Sequence, residues 1–411
     1  MGEMDKHFGL GNTGVLCFYS LFISLIFSVY IFSSSNLLKF TAFHANTNAH
    51  IYICCLIVID NESCDLFDGR WVPDKDGPLY SNYSCPTIPT IRNCFFHGRK
   101  DRDFLYWRWK PEQCQLPRFD SKAFLSIVRG KTMAFIGDSI ARNQMESLVC
   151  LLSMEESPTS ISEDPDEEEK FTTAWHFPHH NFTLKVHRSV FLVRPTQKVK
   201  SNGYSKTRFH LLLDQPDPNW TQNLSNVDFA IFSDGQWFLR PIYLHEAGNL
   251  TGCIFCREPN VQDFSTGFAI RKAFKAAFKY VNERRSGIVV FVRTFSPSHF
   301  EHGAWHNGGF CNRTRGLSRE EVKVGGDDWE YRNIQVEEFE RAKRDGEKRG
   351  NRFELMDVTR AMMMRPDGHP GEFWGNKWMK GHNDCLHWCL PGPIDTWNEL
   401  LLQLLRSQHQ P

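Results

Sequence analysis

The chain has no excess of either charge: lysine plus arginine and aspartate plus glutamate number 48 each among its 411 residues. That balance gives a nucleic-acid partner nothing to be drawn by. No internal repeat and no coenzyme-binding fingerprint are visible, so no bound cofactor is expected. Metal is not expected either. Cys253-x-x-Cys256 has zinc-knuckle spacing, but no second pair stands at matching distance, and a disulfide or two half-pairs needs fewer parts. The chain also lacks the composition of a disordered protein. At 41% hydrophobic and 14% aromatic it can bury one large core or two smaller ones.

Long apolar runs are scarce, which makes Val15 to Phe32 conspicuous: eighteen residues without a charge, at the lower limit of what spans a hydrocarbon core. We read it as an uncleaved signal anchor. A cleaved signal peptide is the alternative, but no clean small-x-small cleavage site follows the run. Seven Asn-x-Ser/Thr sites come after it, at Asn61, Asn82, Asn181, Asn219, Asn223, Asn249 and Asn312, and ten of the thirteen cysteines lie from Cys64 onward. Both features fit passage through an oxidising secretory lumen. The expected organisation is a cytosolic tail (1–14), a single anchor (15–32), a stem (33–62) and a lumenal domain (63–411). Residues 51–59 form a second apolar patch, too short to span, for which the sequence offers no account.

Residues 63–120 are rich in cysteine, proline and aromatics with little helical period, so a loop-heavy, stapled lobe is expected. From Lys131 to about Arg406 the pattern alternates. Apolar runs at Thr132–Ile136, Val227–Ser233, Ile288–Arg293 and Phe353–Val358 read as buried strands. Helical patterns follow at Ile140–Leu152, Phe268–Asn282, Asn333–Arg349 and Thr396–Arg406. Four strand-then-helix units predict an α/β fold with a doubly wound parallel sheet, and place the active site at the carboxyl ends of its strands. Between Ser153 and Lys170 eight acidic residues mark a solvated loop.

Two short motifs stand out. Gly137-Asp138-Ser139 puts a serine at a helix N-terminus, where free backbone N–H groups can stabilise an oxyanion. Asp384-Cys385-Leu386-His387 puts a carboxylate one turn of backbone before a histidine. Alone, the first also reads as a helix N-cap, and the second, with Cys389, could be drawn as a metal loop. Together they supply nucleophile, base and orienting carboxylate, which points to acyl transfer.

The stretches CDLFDGRWVPD (64–74), WRWKPEQCQLPRFD (107–120), MAFIGDSIARNQMESLVCLL (133–152), VRTFSPSHFEHGAWHNGGFCNRT (292–314), MMMRPDGHPG (362–371) and NDCLHWCLPGPIDTWNELLL (383–402) closely resemble the plant trichome birefringence-like family. The resemblance implies a Golgi-resident, single-pass protein of SGNH-hydrolase-like fold that acts as a polysaccharide O-acetyltransferase. By motif matching it makes Ser139, His387 and Asp384 the catalytic set. It implies bridges Cys64–Cys114 and Cys85–Cys150, with Cys311 joined to Cys385 or Cys389; of these we take Cys311–Cys389. TFSPSHFE and RPDGHPG look most like the branch acting on hemicelluloses with a β-1,4-glucan or mannan backbone, which makes xyloglucan or glucomannan the expected acceptor, with xylan as the next candidate outside that branch. Gly235-Gln236-Trp237 departs from the branch's usual Gly-His-Trp, and Ser233-Asp234 from its usual preceding pair.

An oxyanion would then be held by the Ser139 N–H with help from Gly235 N–H and from Arg142 or Asn143. Trp237, Trp305, Trp374 and Trp378 are candidate platforms for pyranose rings, with Arg240 and Arg293 as hydrogen-bond donors. Each Trp also reads as core or groove wall, and Arg293 as one half of a structural ion pair. The expected partners are a cell-wall polysaccharide acceptor, an acetyl donor, and a Golgi membrane protein that supplies it. A polysaccharide acetyl esterase shares the same residues, and a non-catalytic wall-polysaccharide (pectin) binding or bridging protein is a third class; the intact Ser139, His387 and Asp384 argue against the last.

Overall fold

The computed structural model describes residues 64–161, 172–199, 208–256, 258–375 and 381–408. The expected tail, anchor, stem and apolar patch lie outside them. Among the described residues no helix is long and apolar enough to cross a membrane. Cys64 to the C-terminus forms one compact unit.

The lobe before Ser121 is mostly loop, as its composition predicts. Its regular part is an antiparallel ribbon of β1 (Gly69–Pro73) on β2 (Trp107–Pro111). A bridge between Cys64 and Cys114 staples it. Cys85–Cys150 ties it to the helix that follows the Gly-Asp-Ser turn, and Cys94–Cys389 ties it to the loop carrying His387. Helix α1 (Ser121–Ile127), capped by the Asp120 carboxylate, leads into the larger domain.

That domain opens with β3 (Thr132–Gly137) and α2 (Ser139–Leu152). Next come β4 (Thr159–Ser160), β5 (Thr172–Phe177), β6 (Phe182–Arg188), β7 (Val193–Val199) and β8 (Arg208–Pro216). A short α3 (Pro218–Thr221) precedes β9 (Phe229–Ser233), β10 (Ile242–Glu246) and β11 (Asn249–Ile254). Then follow α4 (Thr266–Arg284), β12 (Val289–Arg293), α5 (Gly326–Glu347), β13 (Arg352–Met356), α6 (Thr359–Met363) and α7 (Asp395–Ser407).

The main sheet has the order β13-β12-β9-β3-β6-β5-β4. Its first five members run parallel; β5 and β4 extend one edge antiparallel. Strict alternation divides the core between the two faces. Met133 and Phe135 pack with α2 and α7, whereas Ala134 and Ile136 face the other layer with α4 and α5. The doubly wound arrangement therefore holds, with a mixed rather than wholly parallel sheet. A second, four-stranded sheet, β11-β10-β8-β7, flanks it.

Candidate active site

Strand β3 is the central member of the seven-stranded sheet, and its carboxyl end is where the site forms. At Gly137 the backbone turns with φ +155°, and a Cβ there would lie 1.7 Å from the Ser233 carbonyl oxygen on β9, so only glycine fits. Asp138 caps α2: its Oδ1 accepts from Ile140 N–H at 2.8 Å. The capping reading of Gly-Asp-Ser is thus met by Asp138, and it leaves the adjacent Ser139 side chain free of that task.

His387 Nε2 lies 2.7 Å from Ser139 Oγ, and His387 Nδ1 lies 2.8 Å from Asp384 Oδ2. Asp384 Oδ1 also accepts the backbone N–H groups of Leu386, at 3.1 Å, and His387, at 2.9 Å, so the carboxylate organises the turn that carries its histidine. Asp384 is buried, which by itself pushes its carboxyl up. The His387 ring and the Arg92 guanidinium outweigh burial and hold it well below the usual carboxylate range. Arg92, from the N-terminal lobe, is itself buried and places Nη1 3.4 Å from Asp384 Oδ2.

The loop bearing His387 is held from all sides. Asn143, one turn after Ser139 on α2, accepts from Trp388 N–H at 2.8 Å and donates to the Trp388 carbonyl at 3.3 Å. His369 Nδ1 donates to the His387 carbonyl at 2.7 Å, its ring stacks on Trp388 at 4.1 Å, and its Nε2 meets His299 Nδ1 at 2.7 Å. Bridges Cys311–Cys385 and Cys94–Cys389 flank His387 on either side. The expected Cys311–Cys389 pairing is therefore corrected: Cys389 faces Cys94 in the lobe, a partner the sequence reading did not consider. Cys253 and Cys256 are bridged to each other, which removes them as thiolate metal ligands although Asp263 lies beside them.

Two of the proposed oxyanion donors need revision. Gly235 N–H donates to the Asp234 carboxylate at 2.6 Å and is already engaged. Asn143 spends its amide on Trp388, so it positions the histidine loop instead. Arg142 Nε donates to Glu146 at 2.8 Å. The Ser139 N–H at the first turn of α2 and the remaining guanidinium N–H groups of Arg142 stay as candidate donors. Next to this turn Asp234 is buried, and burial together with the Asp138 charge pushes its carboxyl well up.

The acceptor candidates divide. Arg293 is 3% exposed, with Nη1 donating to the Thr294 carbonyl and its guanidinium over Trp397, and burial lowers it to about 10. It is a core residue, and its expected role as a sugar donor is withdrawn. Trp237 has Arg240 over its ring at 4.0 Å and edge contacts from Phe191 and Phe209, so that face is covered. Trp305 is 49% exposed. Half-buried Trp374 donates Nε1 to the His382 carbonyl, and His382 Nδ1 in turn donates to the Trp305 carbonyl. These two tryptophans are thereby joined through a segment two residues from Asp384. Trp378 lies outside the described residues, as does Asn61; Asn181, Asn219, Asn223, Asn249 and Asn312 are exposed and Asn82 is half-buried.

Residues 116–404 match a family model described as a GDSL/SGNH-like acyl-esterase family found in Pmr5 and Cas1p. The chain belongs to this family. Residues 62–115 match the PMR5 N-terminal domain, so the stapled lobe is the family's own N-terminal module. Among similar proteins, xyloglucan O-acetyltransferase 4 of Populus trichocarpa is 52% identical over 93% of this chain and 90% of the relative. Xyloglucan O-acetyltransferase 2 of Arabidopsis thaliana is 48% identical over 85% of this chain and 84% of its own length. Protein trichome birefringence-like 20 of the same plant is 42% identical over 84% and 72%. The resemblance read from the sequence is the one these matches show, in its hemicellulose branch.

Proposed function

We propose that this PC-esterase family member is a polysaccharide O-acetyltransferase that carries acetyl through Ser139 to hydroxyls of xyloglucan. The observation that carries the reading is the continuous path Ser139 Oγ to His387 Nε2 and His387 Nδ1 to Asp384, built at the carboxyl end of a central parallel strand. In the first half-reaction His387 takes the Ser139 proton as Oγ bonds to the acetyl carbon. The Ser139 N–H steadies the oxyanion, and the donor's leaving group departs with the proton from His387. In the second, a sugar hydroxyl loses its proton to His387, bonds to the acetyl carbon, and Ser139 leaves with that proton. Asp384 stays ionised throughout and stabilises the imidazolium.

Transfer rather than hydrolysis requires a sugar hydroxyl to be held at high effective concentration. Exposed Trp305, linked to Trp374, is the surface we assign to that task, with a glucan backbone as the stacking ligand. In this reading Val15 to Phe32 anchors the chain in the Golgi membrane, its sequons and bridges face the lumen, and a membrane protein delivers the acetyl group.

The test is product analysis. The full-length protein and Ser139→Ala are given an acetyl donor and deacetylated xyloglucan, glucomannan and xylan oligosaccharides. Serine-dependent acetyl addition to xyloglucan supports the proposal. Serine-dependent removal of acetyl from native polymers, with no addition, replaces it with an esterase.

A further inference from the structure

The N-terminal lobe and the larger domain match two separate family models, yet a side chain of the first reaches the acid of the second. Arg92 Nη1 lies 3.4 Å from Asp384 Oδ2, the same oxygen that receives His387 Nδ1. On its other edge Arg92 Nε is 3.8 Å from Glu146 Oε2, and Glu146 Oε1 accepts from Arg142. Asp384, Arg92, Glu146 and Arg142 thus alternate in sign, from the histidine turn through the lobe to the helix that begins with Ser139. Arg92 is 4% exposed and Glu146 7%, so neither can meet a polysaccharide directly.

The backbone around Arg92 is fixed independently of its side chain. Its carbonyl accepts from Leu390 N–H at 3.0 Å, and Cys94, two residues on, is bridged to Cys389. Those links would hold the lobe against the His387 loop whatever side chain stood at position 92. A long cation there answers a different need. A buried carboxylate that faces the imidazole alone finds its whole charge balance there; a second cation on the same oxygen shares that balance and fixes where the carboxylate points.

We propose that Arg92 is a positioning residue for the acyl-transfer step: it balances the Asp384 charge and keeps the carboxylate aimed at His387, so that the N-terminal lobe completes the active site. The inference rests on the Ser139 reading above. The charged and titratable groups around the Asp384–His387 pair are Arg92 from the lobe, Glu146 and Arg142 from α2, and His369, backed by His299, from the loops beyond the sheet. Of these, Arg92 is the cation that touches Asp384. Removing its charge leaves the imidazolium facing an unopposed carboxylate. His387 then holds its proton to higher pH, and the acid limb of the rate profile moves up.

The experiment uses full-length protein and 4-nitrophenyl acetate as the acyl donor. Rates are normalised to the sites labelled by a fluorophosphonate, so that misfolded molecules do not count. Arg92→Met is expected to raise the acid-limb midpoint by about one pH unit, a roughly tenfold loss of rate below it, with a smaller change on the alkaline plateau. Arg92→Lys is expected to return the midpoint to near the wild-type value. Because Arg92→Met strands two carboxylates, the charge-balanced double variant Arg92→Met, Glu146→Gln is measured beside it, with the same upward shift expected. An unmoved midpoint in the double variant, or an equal shift in Arg92→Lys, overturns the role of Arg92 while leaving Ser139 standing. Fluorophosphonate labelling or full activity in Ser139→Ala overturns both.

Discussion

Asn143 shows how one side chain can be in the right place for the wrong reason. Its spacing from Ser139 puts it on the same face of α2, as the sequence predicts, but its amide is spent on both backbone groups of Trp388. Asn143→Leu should therefore leave those groups buried and unpaired, costing about 1–3 kcal/mol. Thermal melting and kcat, measured together, should both fall. A loss of kcat with unchanged melting would return Asn143 to a direct role on the oxyanion. Titration behaviour gives a second residue-scale test, at the start of α7. Burial raises Glu399 to about 7, against the pull of Arg108 and Arg118, and raises Asp395 to about 6. Folding therefore takes up protons that the unfolded chain has already released, and stability declines as pH rises from about 5 to about 7. Glu399→Gln should flatten that decline and add on the order of 2 kcal/mol at pH 7.5. Chemical denaturation across this pH range reads both, and a stability that rises over the window would contradict the assignment.

At the scale of elements, the strands and helices that carry the site were legible because they are buried on one or both faces and long enough to show a period. Thr132–Gly137 and the helix from Ser139 fall within a residue of their expected bounds. Strands β5 to β8 were missed. They lie beyond the acidic tract, follow one another without intervening helices, and include the parallel neighbour β6 on one side of β3. Arg92 was equally hidden: it stands in a loop with no period, and its meaning depends on a carboxylate nearly 300 residues away. The cysteines gave partial warning, since spacing alone cannot choose among partners. Peptide mapping without reduction should recover Cys94–Cys389 and Cys311–Cys385. Recovery of Cys311–Cys389 would refute the loop geometry that seats His387. With the geometry correct, Cys94→Ser should lower activity more than it lowers yield, because the bridge lies two residues from His387.

Across the whole molecule, the proposed function assigns chemistry and acceptor choice to different segments. The Ser139–His387–Asp384 set lies at the carboxyl end of β3, contacted by the lobe through Arg92 and Cys94 and by His369 at the His387 carbonyl. The acceptor candidates, exposed Trp305 and half-buried Trp374, stand on segments joined through His382. Trp305→Ala should raise KM for xyloglucan oligosaccharides roughly tenfold, as expected for one lost stacking contact of about 1.4 kcal/mol, and raise KM for a small acetyl ester far less. Equal effects on both substrates would place Trp305 in the reaction itself.

In the proposed reaction acetyl rests on Ser139 and leaves for a sugar. The most direct measurement loads the full-length protein with acetyl from 4-nitrophenyl acetate, maps the modified peptide by mass spectrometry, and chases it with deacetylated xyloglucan oligosaccharides. Acetyl is expected on the Ser139 peptide and not in Ser139→Ala, with faster loss of that acetyl in oligosaccharide than in buffer as acetylated glycan appears. Acetyl found elsewhere, or lost to water at a rate the oligosaccharide does not change, would contradict it.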